Sequence, residues 1–155
     1  MKWFFAGFVF TTVLAVVVIF RIIRYWGNRL YEVEKKADKN RVLFETMGKY
    51  VLFITRNANI ADFLDYRGFR SVAIYGMGYM GEVLYENLSS QNIEIVYVID
   101  RNSDILCTAP IVNPEDDFPF ADVIIVTVVT EYPEIKQYLE NKTNIPIVSL
   151  LEIID

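Results

Sequence analysis

The most apolar stretch of the chain lies at its start, where residues 3–20 form 18 consecutive positions without a charged side chain. A helix of that length spans about 27 Å, close to the roughly 30 Å hydrocarbon core of a bilayer. Trp3 stands at one end, and Tyr25 and Trp26 stand at the other, as is typical of membrane interfaces. The pattern predicts a transmembrane helix that contacts membrane lipid through residues 3–23, with a cleaved signal peptide as the alternative.

Charge is divided unevenly along the chain. Residues 21–56 contain nine Lys/Arg and four Asp/Glu, whereas residues 57–155 contain five Lys/Arg and sixteen Asp/Glu. The two zones therefore carry net charges of +5 and −11, and Lys2 completes the overall −5. Basic residues concentrate on the cytoplasmic side of a membrane, so we expect a single-pass protein whose C-terminal domain is cytoplasmic. The acidic zone offers no binding surface for nucleic acid.

A seven-residue repeat follows the predicted membrane span. Its members alternate in steps of three and four: Leu30, Val33, Ala37, Asn40, Phe44, Met47, Val51 and Ile54. This is the spacing of a coiled coil, in which a lone Asn can fix the register of a dimer. Ordinary amphipathic helices that pack within one chain show it as well. We expect intramolecular packing of this helix, with a homodimer or another protein partner held through residues 30–54 as the alternative.

Beyond residue 57 the pattern changes to short apolar runs separated by helical segments. Residues 59–67 predict a short helix that ends at Gly68, and residues 133–142 predict a second one. The apolar runs predict strands at residues 72–75, 93–99, 105–112, 121–129 and 146–150, the third of which could instead be an irregular crossover. Strands that alternate with helices indicate an α/β fold with a doubly wound parallel sheet, here in the order 3-2-1-4-5.

Six residues directly after the first of these strands match the pattern G-x-G-x-x-G. They are Gly76, Met77, Gly78, Tyr79, Met80 and Gly81. In a dinucleotide-binding βαβ unit the first glycine allows a tight turn and the second lets a pyrophosphate approach the backbone. The third glycine lets the helix pack closely on the sheet. A helix that begins near Tyr79 would direct its N–H groups at the phosphates, so this loop is the predicted cofactor-binding site.

An acidic residue stands where the second predicted strand ends. Asp100 lies nineteen residues beyond Gly81, at a position suited to accept hydrogen bonds from ribose hydroxyls. A carboxylate there favours NAD because it repels a 2′-phosphate, although the neighbouring Arg101 leaves NADP open. Residues 127–131, beginning with Thr127, are expected to form the far wall of the crevice. The expected ligand is NAD or NADP, with a nucleotide sugar second and a ligand-free glycine turn as the remaining alternative.

Several segments of the chain resemble small Rossmann-like domains of bacterial polysaccharide-biosynthesis proteins. They are AIYGMGYMGEVLYENL, VYVIDRN, ADVIIVTVV and PIVSLLEII. Domains of this kind are usually described as binding NAD(P) or nucleotide sugars, alone or fused to transferases and epimerase-like enzymes. The resemblance covers about 100 residues, from about Ile60 onward, and it implies an accessory or regulatory role in the synthesis of envelope polysaccharide.

Composition removes many catalytic systems. The chain has no histidine and only one cysteine, Cys107. These counts exclude Ser-His-Asp and Cys-His nucleophiles, Cys/His zinc motifs and an intrachain disulfide. Tyr132 and Lys136 match the Tyr-x-x-x-Lys pair of short-chain dehydrogenases, but they lie at the start of a helix, 56 residues after Gly76. That placement favours a chance match. We expect no catalytic residue and no metal site.

Three segments result from these patterns. Residues 1–25 are the predicted membrane anchor, residues 26–56 a basic juxtamembrane helix, and residues 57–155 a Rossmann-like nucleotide-binding domain. The expected function is binding or regulation. An oxidoreductase or epimerase completed by a partner or an oligomer, and a ligand-free interaction scaffold, are the alternatives.

Overall fold

The computed structural model describes residues 2–91 and 93–155, and side chains from residue 17 onward within those ranges. Its elements in chain order are α1 (Lys2–Thr55), α2 (Ile60–Arg67), β1 (Ser71–Tyr75), α3 (Tyr79–Ser90), β2 (Glu94–Ile99), β3 (Ile111–Val112), β4 (Val123–Val126), α4 (Tyr132–Glu140), β5 (Ile147–Ser149) and α5 (Leu150–Ile154). Residues 1–41 and 42–155 form two separate compact units.

The first unit contains most of helix α1. The predicted membrane span, residues 3–23, falls within it, but residues 3–16 of that span lie outside the described side chains. Among the side chains that are described, no helix is long and apolar enough to cross a bilayer. The membrane anchor and the cytoplasmic location of the rest of the chain therefore stay predictions.

The second unit is built on a five-stranded sheet in which every neighbouring pair of strands is parallel. The strand order is β3-β2-β1-β4-β5, which confirms the predicted order and is consistent with a Rossmann-like fold. Strand β3 has only two residues, and a side chain of α3 holds the loop before it. The hydroxyl of Tyr85 accepts hydrogen bonds from the N–H groups of Thr108 and Ala109, at 3.1 and 3.3 Å.

Both faces of the sheet are covered. On one face, Val72 and Ile74 of β1 belong to a buried cluster that includes residues of α2, α3 and α5. On the other face, Ala73 of β1 and Leu139 of α4 belong to a second buried cluster. Successive side chains of a strand point to opposite faces, so a strand buried on both sides is apolar throughout. This explains the apolar run within each strand, and it confirms an α/β fold.

The last turns of α1, which belong to the second unit, bury a different face from the predicted one. Leu43, Tyr50 and Phe53 pack into the core of this unit, with Tyr50 only 6% exposed. Of the predicted repeat, Phe44 remains 79% exposed and Val51 55% exposed. The prediction that the repeat packs against this domain is therefore wrong for these turns. Both faces show the same spacing of three and four residues, so spacing alone did not distinguish them.

Two helix ends illustrate what local sequence signals can and cannot reveal. Helix α2 ends at Gly68, whose φ of +74° is the left-handed cap that the sequence predicts. Helix α5 was not predicted. Its signal is a capping box, in which Ser149 is followed three residues later by Glu152. The Ser149 hydroxyl oxygen accepts a hydrogen bond from the N–H of Leu151 at 3.2 Å, which fixes the first turn of α5.

Candidate functional site

The glycine loop lies at the carboxyl edge of the sheet, between β1 and α3. Strand β1 pairs with β2 on one side and with β4 on the other. After β1 the chain forms β2 and β3 on one side of that strand, and it then crosses back to form β4 and β5 on the other side. In open parallel sheets, ligands bind in the crevice outside the carboxyl ends of the strands at such a reversal. The topology thus places Gly76–Gly81 at the position where this fold class binds ligands.

Gly76 makes the turn out of β1. Its φ is +88°, a backbone conformation that favours glycine, and a Cβ built there would lie 2.5 Å from Cγ2 of Val128. The N–H of Gly76 donates to the carbonyl of Ile99 at 2.9 Å. The buried Thr127 hydroxyl donates to the carbonyl of Gly76 at 2.6 Å. Thr127 therefore stabilises the turn, and its hydroxyl is already used in a hydrogen bond to the loop.

Gly81 fixes the distance between α3 and the turn. A Cβ at Gly81 would overlap the carbonyl oxygen of Gly76. Close helix packing at this point therefore needs a residue without a side chain. The side chains of Met77 and Met80 are 7% and 4% exposed and belong to the core cluster beneath α3. Met77 and Met80 were predicted as site residues, but their side chains are buried in the core, so only their backbone groups are available to a ligand.

Asp100 connects the end of β2 to the loop. One oxygen of its carboxylate accepts a hydrogen bond from the N–H of Met77 at 2.7 Å. The other accepts from the N–H of Asn102 at 2.9 Å. Each carboxylate oxygen can accept more than one hydrogen bond, so the group retains capacity for a ligand hydroxyl. The residue predicted to hold a ribose thus also holds the glycine loop in place.

Gly78 and Tyr79 form the open part of the loop. Gly78 is the N-cap of α3, has extended backbone angles and makes no side-chain capping bond. A Cβ built on Gly78 would meet no atom within 4 Å. Among the described residues, the backbone N–H groups of Gly78, Tyr79 and Met80 have no hydrogen-bond acceptor. These N–H groups stand at the positive end of the α3 dipole, which is a ready site for an anion.

A cavity of about 250 Å³ opens beside the loop, between the carboxyl ends of β1, β2 and β4. Its apolar wall is formed by Ile99, Val128 and Ile135, and its charged rim by Asp100, Arg101 and Glu131. Tyr75, the last residue of β1, also lines it. Burial raises the pKa of the Tyr75 hydroxyl and the Arg101 guanidinium opposes that shift, so the phenol stays protonated at neutral pH.

Two residues that line this cavity, Tyr75 and Ile135, were not predicted as site residues from the sequence. Tyr75 had a positional signal, since it directly precedes the glycine turn. Ile135 had none, because it reaches the cavity only through the docking of α4 on the sheet. Side chains that come from a distant helix cannot be assigned to a crevice before that docking is known.

A larger cavity, of about 450 Å³, lies at the amino ends of β4 and β5. Asp122 is its charged lining residue. One oxygen of this carboxylate accepts hydrogen bonds from the N–H groups of Arg70 and Ser71, both at 2.8 Å. These two bonds lower the pKa of Asp122. Ligands of open parallel sheets bind outside the carboxyl ends of the strands, so size alone does not make this cavity at the amino ends the better candidate.

Tyr132 and Lys136 do not line the cavity beside the loop. The Tyr132 ring packs against the second core cluster, and Nζ of Lys136 lies 5.7 Å from the ring centre. Burial raises the pKa of Tyr132, and the neighbouring Glu152 raises it further. A general acid at neutral pH needs a lowered phenol pKa, so this geometry gives no support to a dehydrogenase-like pair.

Comparison with protein-family models, with curated proteins and with solved structures gives no match for this chain. In the part of the chain that the structure describes, no group of three or more His, Cys, Asp or Glu side chains is placed to hold a metal ion. The residues that could hold a cofactor are therefore the open part of the loop, Asp100 and the walls of the adjoining cavity.

Proposed function

We propose that the α/β unit binds a nucleotide at the carboxyl edge of its sheet, with NAD or NADP as the first candidate and a nucleotide sugar as the second. One observation carries the proposal. The N–H groups of Gly78 and Tyr79 have no acceptor among the described residues, and Gly76 at the start of the same loop lines a cavity rimmed by Asp100. An anionic group and a hydroxyl-bearing group joined in one ligand would meet both features.

The phosphates of the ligand would lie at the start of α3. A helix N-terminus carries roughly +0.5 of an elementary charge, and its unpaired N–H groups donate directly to phosphate oxygens. Gly78 contributes by the absence of a side chain, which leaves the backbone accessible. Tyr79 is 73% exposed and can lie alongside the bound phosphates.

The nucleoside would lie in the cavity beside the loop. Its volume of about 250 Å³ is below the roughly 300–1,000 Å³ of sites that enclose a drug-sized ligand, so it suits one nucleoside. The apolar wall of Ile99, Val128 and Ile135 would contact the base, and Asp100 would accept hydrogen bonds from ribose hydroxyls. Arg101 on the same rim would accommodate a 2′-phosphate, which keeps NADP as a candidate.

The cellular role that we propose is accessory or regulatory, next to a partner in envelope polysaccharide synthesis. It is supported by the resemblance of residues 73–88, 96–102, 121–129 and 146–154 to domains of that kind. In this role the α/β unit reports or retains a nucleotide, and the predicted membrane segment keeps it at the site of synthesis.

The test is ligand-induced thermal stabilisation of the full-length chain. The panel contains NAD(H), NADP(H), UDP-sugars and coenzyme A. A true ligand at 100 times its Kd stabilises the folded state by about 2.7 kcal/mol. Gly78→Val should abolish this shift. It should lower the ligand-free Tm only slightly, because a Cβ at this position meets no protein atom and the remaining cost is the poorer helix N-cap. Ser89→Val is the matched control, since it adds the same exposed side chain to the other end of α3.

Two outcomes would contradict the proposal. Either no member of the panel raises the Tm, or Gly78→Val binds its ligand as tightly as the unmodified chain does. Arg101→Ala separates the two dinucleotides, because it should weaken NADP binding and leave NAD binding unchanged.

A further inference from the structure

The last turns of α1 carry two apolar faces, and only one of them is covered by the unit to which it belongs. The covered face contains Leu43, Tyr50 and Phe53. The second face, which we call the seam, consists of Phe44, Met47, Val51 and Ile54. These four side chains are 79%, 43%, 55% and 44% exposed. All residues of both faces belong to the same compact unit, 42–155.

We infer that the seam is the contact surface for a second copy of this chain, packed against it as a parallel coiled coil. The seam continues the seven-residue repeat that begins at Leu30. On a straight helix, positions seven residues apart are rotated by about 20° around the axis. A strict seven-residue repeat therefore stays in contact with a helix that supercoils around it, but not with a flat surface. The seam is also narrow, as in a coiled coil, where only two positions in seven face the partner.

The flanks of the seam fit a second copy sterically. In a parallel coiled coil, the residues just before Phe44 and Val51 would each lie next to the residue five positions later on the partner chain. Leu43 would therefore face Gly48, and Tyr50 would face Thr55. Leu43 and Tyr50 are committed to the core of their own unit, and small residues stand opposite them. A Cβ on Gly48 would meet no atom within 4 Å, so this flank is open to a neighbouring helix.

The charged flanks further along the repeat are balanced. Arg29 would face Glu34 of the second copy, which is an attractive pair, and Lys36 would face Arg41, which is a repulsive one. Arg41 lies 3.4 Å from Asp38 on its own helix, which reduces that repulsion. Association is therefore expected to depend on the apolar seam and not on ion pairs.

The net charge of this unit sets the salt dependence of its association. Residues 42–155 contain seven Lys/Arg and seventeen Asp/Glu, a net charge of −10. Such a unit is repelled by anionic lipid, and equally by a second copy. Salt screens both repulsions, so a dimer held by the apolar seam should strengthen as ionic strength rises.

The experiment compares Val51→Glu with Leu52→Glu in the full-length chain, kept in a mild detergent. Both residues are 55% exposed and adjacent on α1, but only Val51 belongs to the seam. Light scattering after gel filtration should give a protein mass of about 36 kDa, twice the 18.0 kDa of one chain, for the unmodified protein and for Leu52→Glu. Val51→Glu should give 18.0 kDa and keep the circular-dichroism spectrum of the unmodified chain, because its side chain makes no core contact.

Disulfide cross-linking tests the parallel register independently. In a Cys107→Ser background, Val51→Cys should form a cross-linked dimer on mild oxidation, because equivalent core residues meet in a parallel coil. Leu52→Cys should form no disulfide between the two chains. The inference does not depend on nucleotide binding, so Gly78→Val should keep the dimeric mass.

Three results would overturn the inference. The first is a monomer at every protein concentration tested. The second is an equal loss of dimer in Val51→Glu and Leu52→Glu, which would place the contact outside the seam. The third is a monomer that binds vesicles of phosphatidylserine and phosphatidylcholine and loses this binding in Val51→Glu, which would assign the seam to lipid.

Discussion

The three glycines of the glycine loop lie in two opposite environments, a closed part and an open part. At the closed part, Gly76 and Gly81 are in contact with each other, and a side chain on either would strike protein atoms. At the open part, Gly78 has no neighbour within 4 Å of a built Cβ. The closed glycines are therefore explained by the fold alone. Only Gly78 has no steric reason to be glycine, which makes it the informative residue for a ligand.

This difference changes what a match to the glycine pattern means. Two of its three glycines would be needed in a ligand-free domain with the same strand, turn and helix. The hydrogen bonds of Asp100 to Met77 and Asn102 belong to the same structural set. Variants at the closed part should therefore reduce stability, whereas variants at the open part should reduce binding.

The largest effect is expected at Gly81. Gly81→Ala places a methyl group against a backbone carbonyl that cannot rotate away, so α3 must move off the turn. We expect a loss of about 3 kcal/mol or more in the free energy of unfolding, and a Tm lower by roughly 10 °C. Urea unfolding followed by circular dichroism measures it.

Gly48→Ala is the matched control for Gly81→Ala. Gly48 also lies inside a helix, but a Cβ there meets no atom within 4 Å. Alanine should therefore stabilise this position by roughly 0.5–1 kcal/mol through its better helix propensity. Equal effects of the two substitutions would show that α3 does not pack on the turn as described.

Gly76 is expected to give an intermediate effect that has two separable causes. Gly76→Ala must hold alanine at a φ of +88° and must also displace the Val128 side chain, at a cost of about 2 kcal/mol. Gly68→Ala has the first cost alone, because its φ is +74° in open space, and should lose about 1 kcal/mol. Thermal unfolding of both variants measures the difference. If Gly68→Ala is the more damaging of the two, Val128 does not constrain the closed part of the loop.

Much of the α/β unit could be predicted from the sequence, because each element has a local signal. Apolar runs marked the strands, and the glycine pattern marked the crossover from β1 to α3. Gly68 marked the end of α2. The strand order then followed from the chain topology of alternating strands and helices. The candidate loop was located for the same reason, since all of its residues are contiguous.

The errors arose where two signals had equal strength or where contacts are distant in sequence. On α1, the covered face contains Thr46, which counts as polar in a pattern although its hydroxyl donates to the carbonyl of Val42. The exposed seam has the same spacing and is apolar at all four of its positions, so the pattern favours it over the covered face. The bracing of Gly76 by Thr127 spans 51 residues and has no sequence signature. Such contacts exist only after the sheet has assembled.

A smaller effect is expected from removing the charge that holds the closed part of the loop. Asp100→Asn replaces one hydrogen-bond acceptor by a donor, so one of the two N–H contacts to Met77 and Asn102 is lost. We expect a stability loss of about 1 kcal/mol together with weaker nucleotide binding. Asp122→Asn is the matched control at the opposite end of the sheet and should leave nucleotide binding unchanged. Equal binding by both variants would assign Asp100 to the fold alone.

The smallest effect, and the one with a distinct pH dependence, is expected for the stability of Asp122→Asn. Hydrogen bonds from the N–H groups of Arg70 and Ser71 hold the pKa of Asp122 below its ordinary value of 3.8. A carboxylate with a lowered pKa in the folded state stabilises that state above the unfolded value and loses this contribution as pH falls through the folded value. The Tm difference between the unmodified chain and Asp122→Asn should therefore be constant at neutral pH and shrink below pH 3.8. Thermal unfolding across that range measures it, and a difference that persists undiminished in strong acid would mean that the ionised carboxylate is not what holds the amino end of β1.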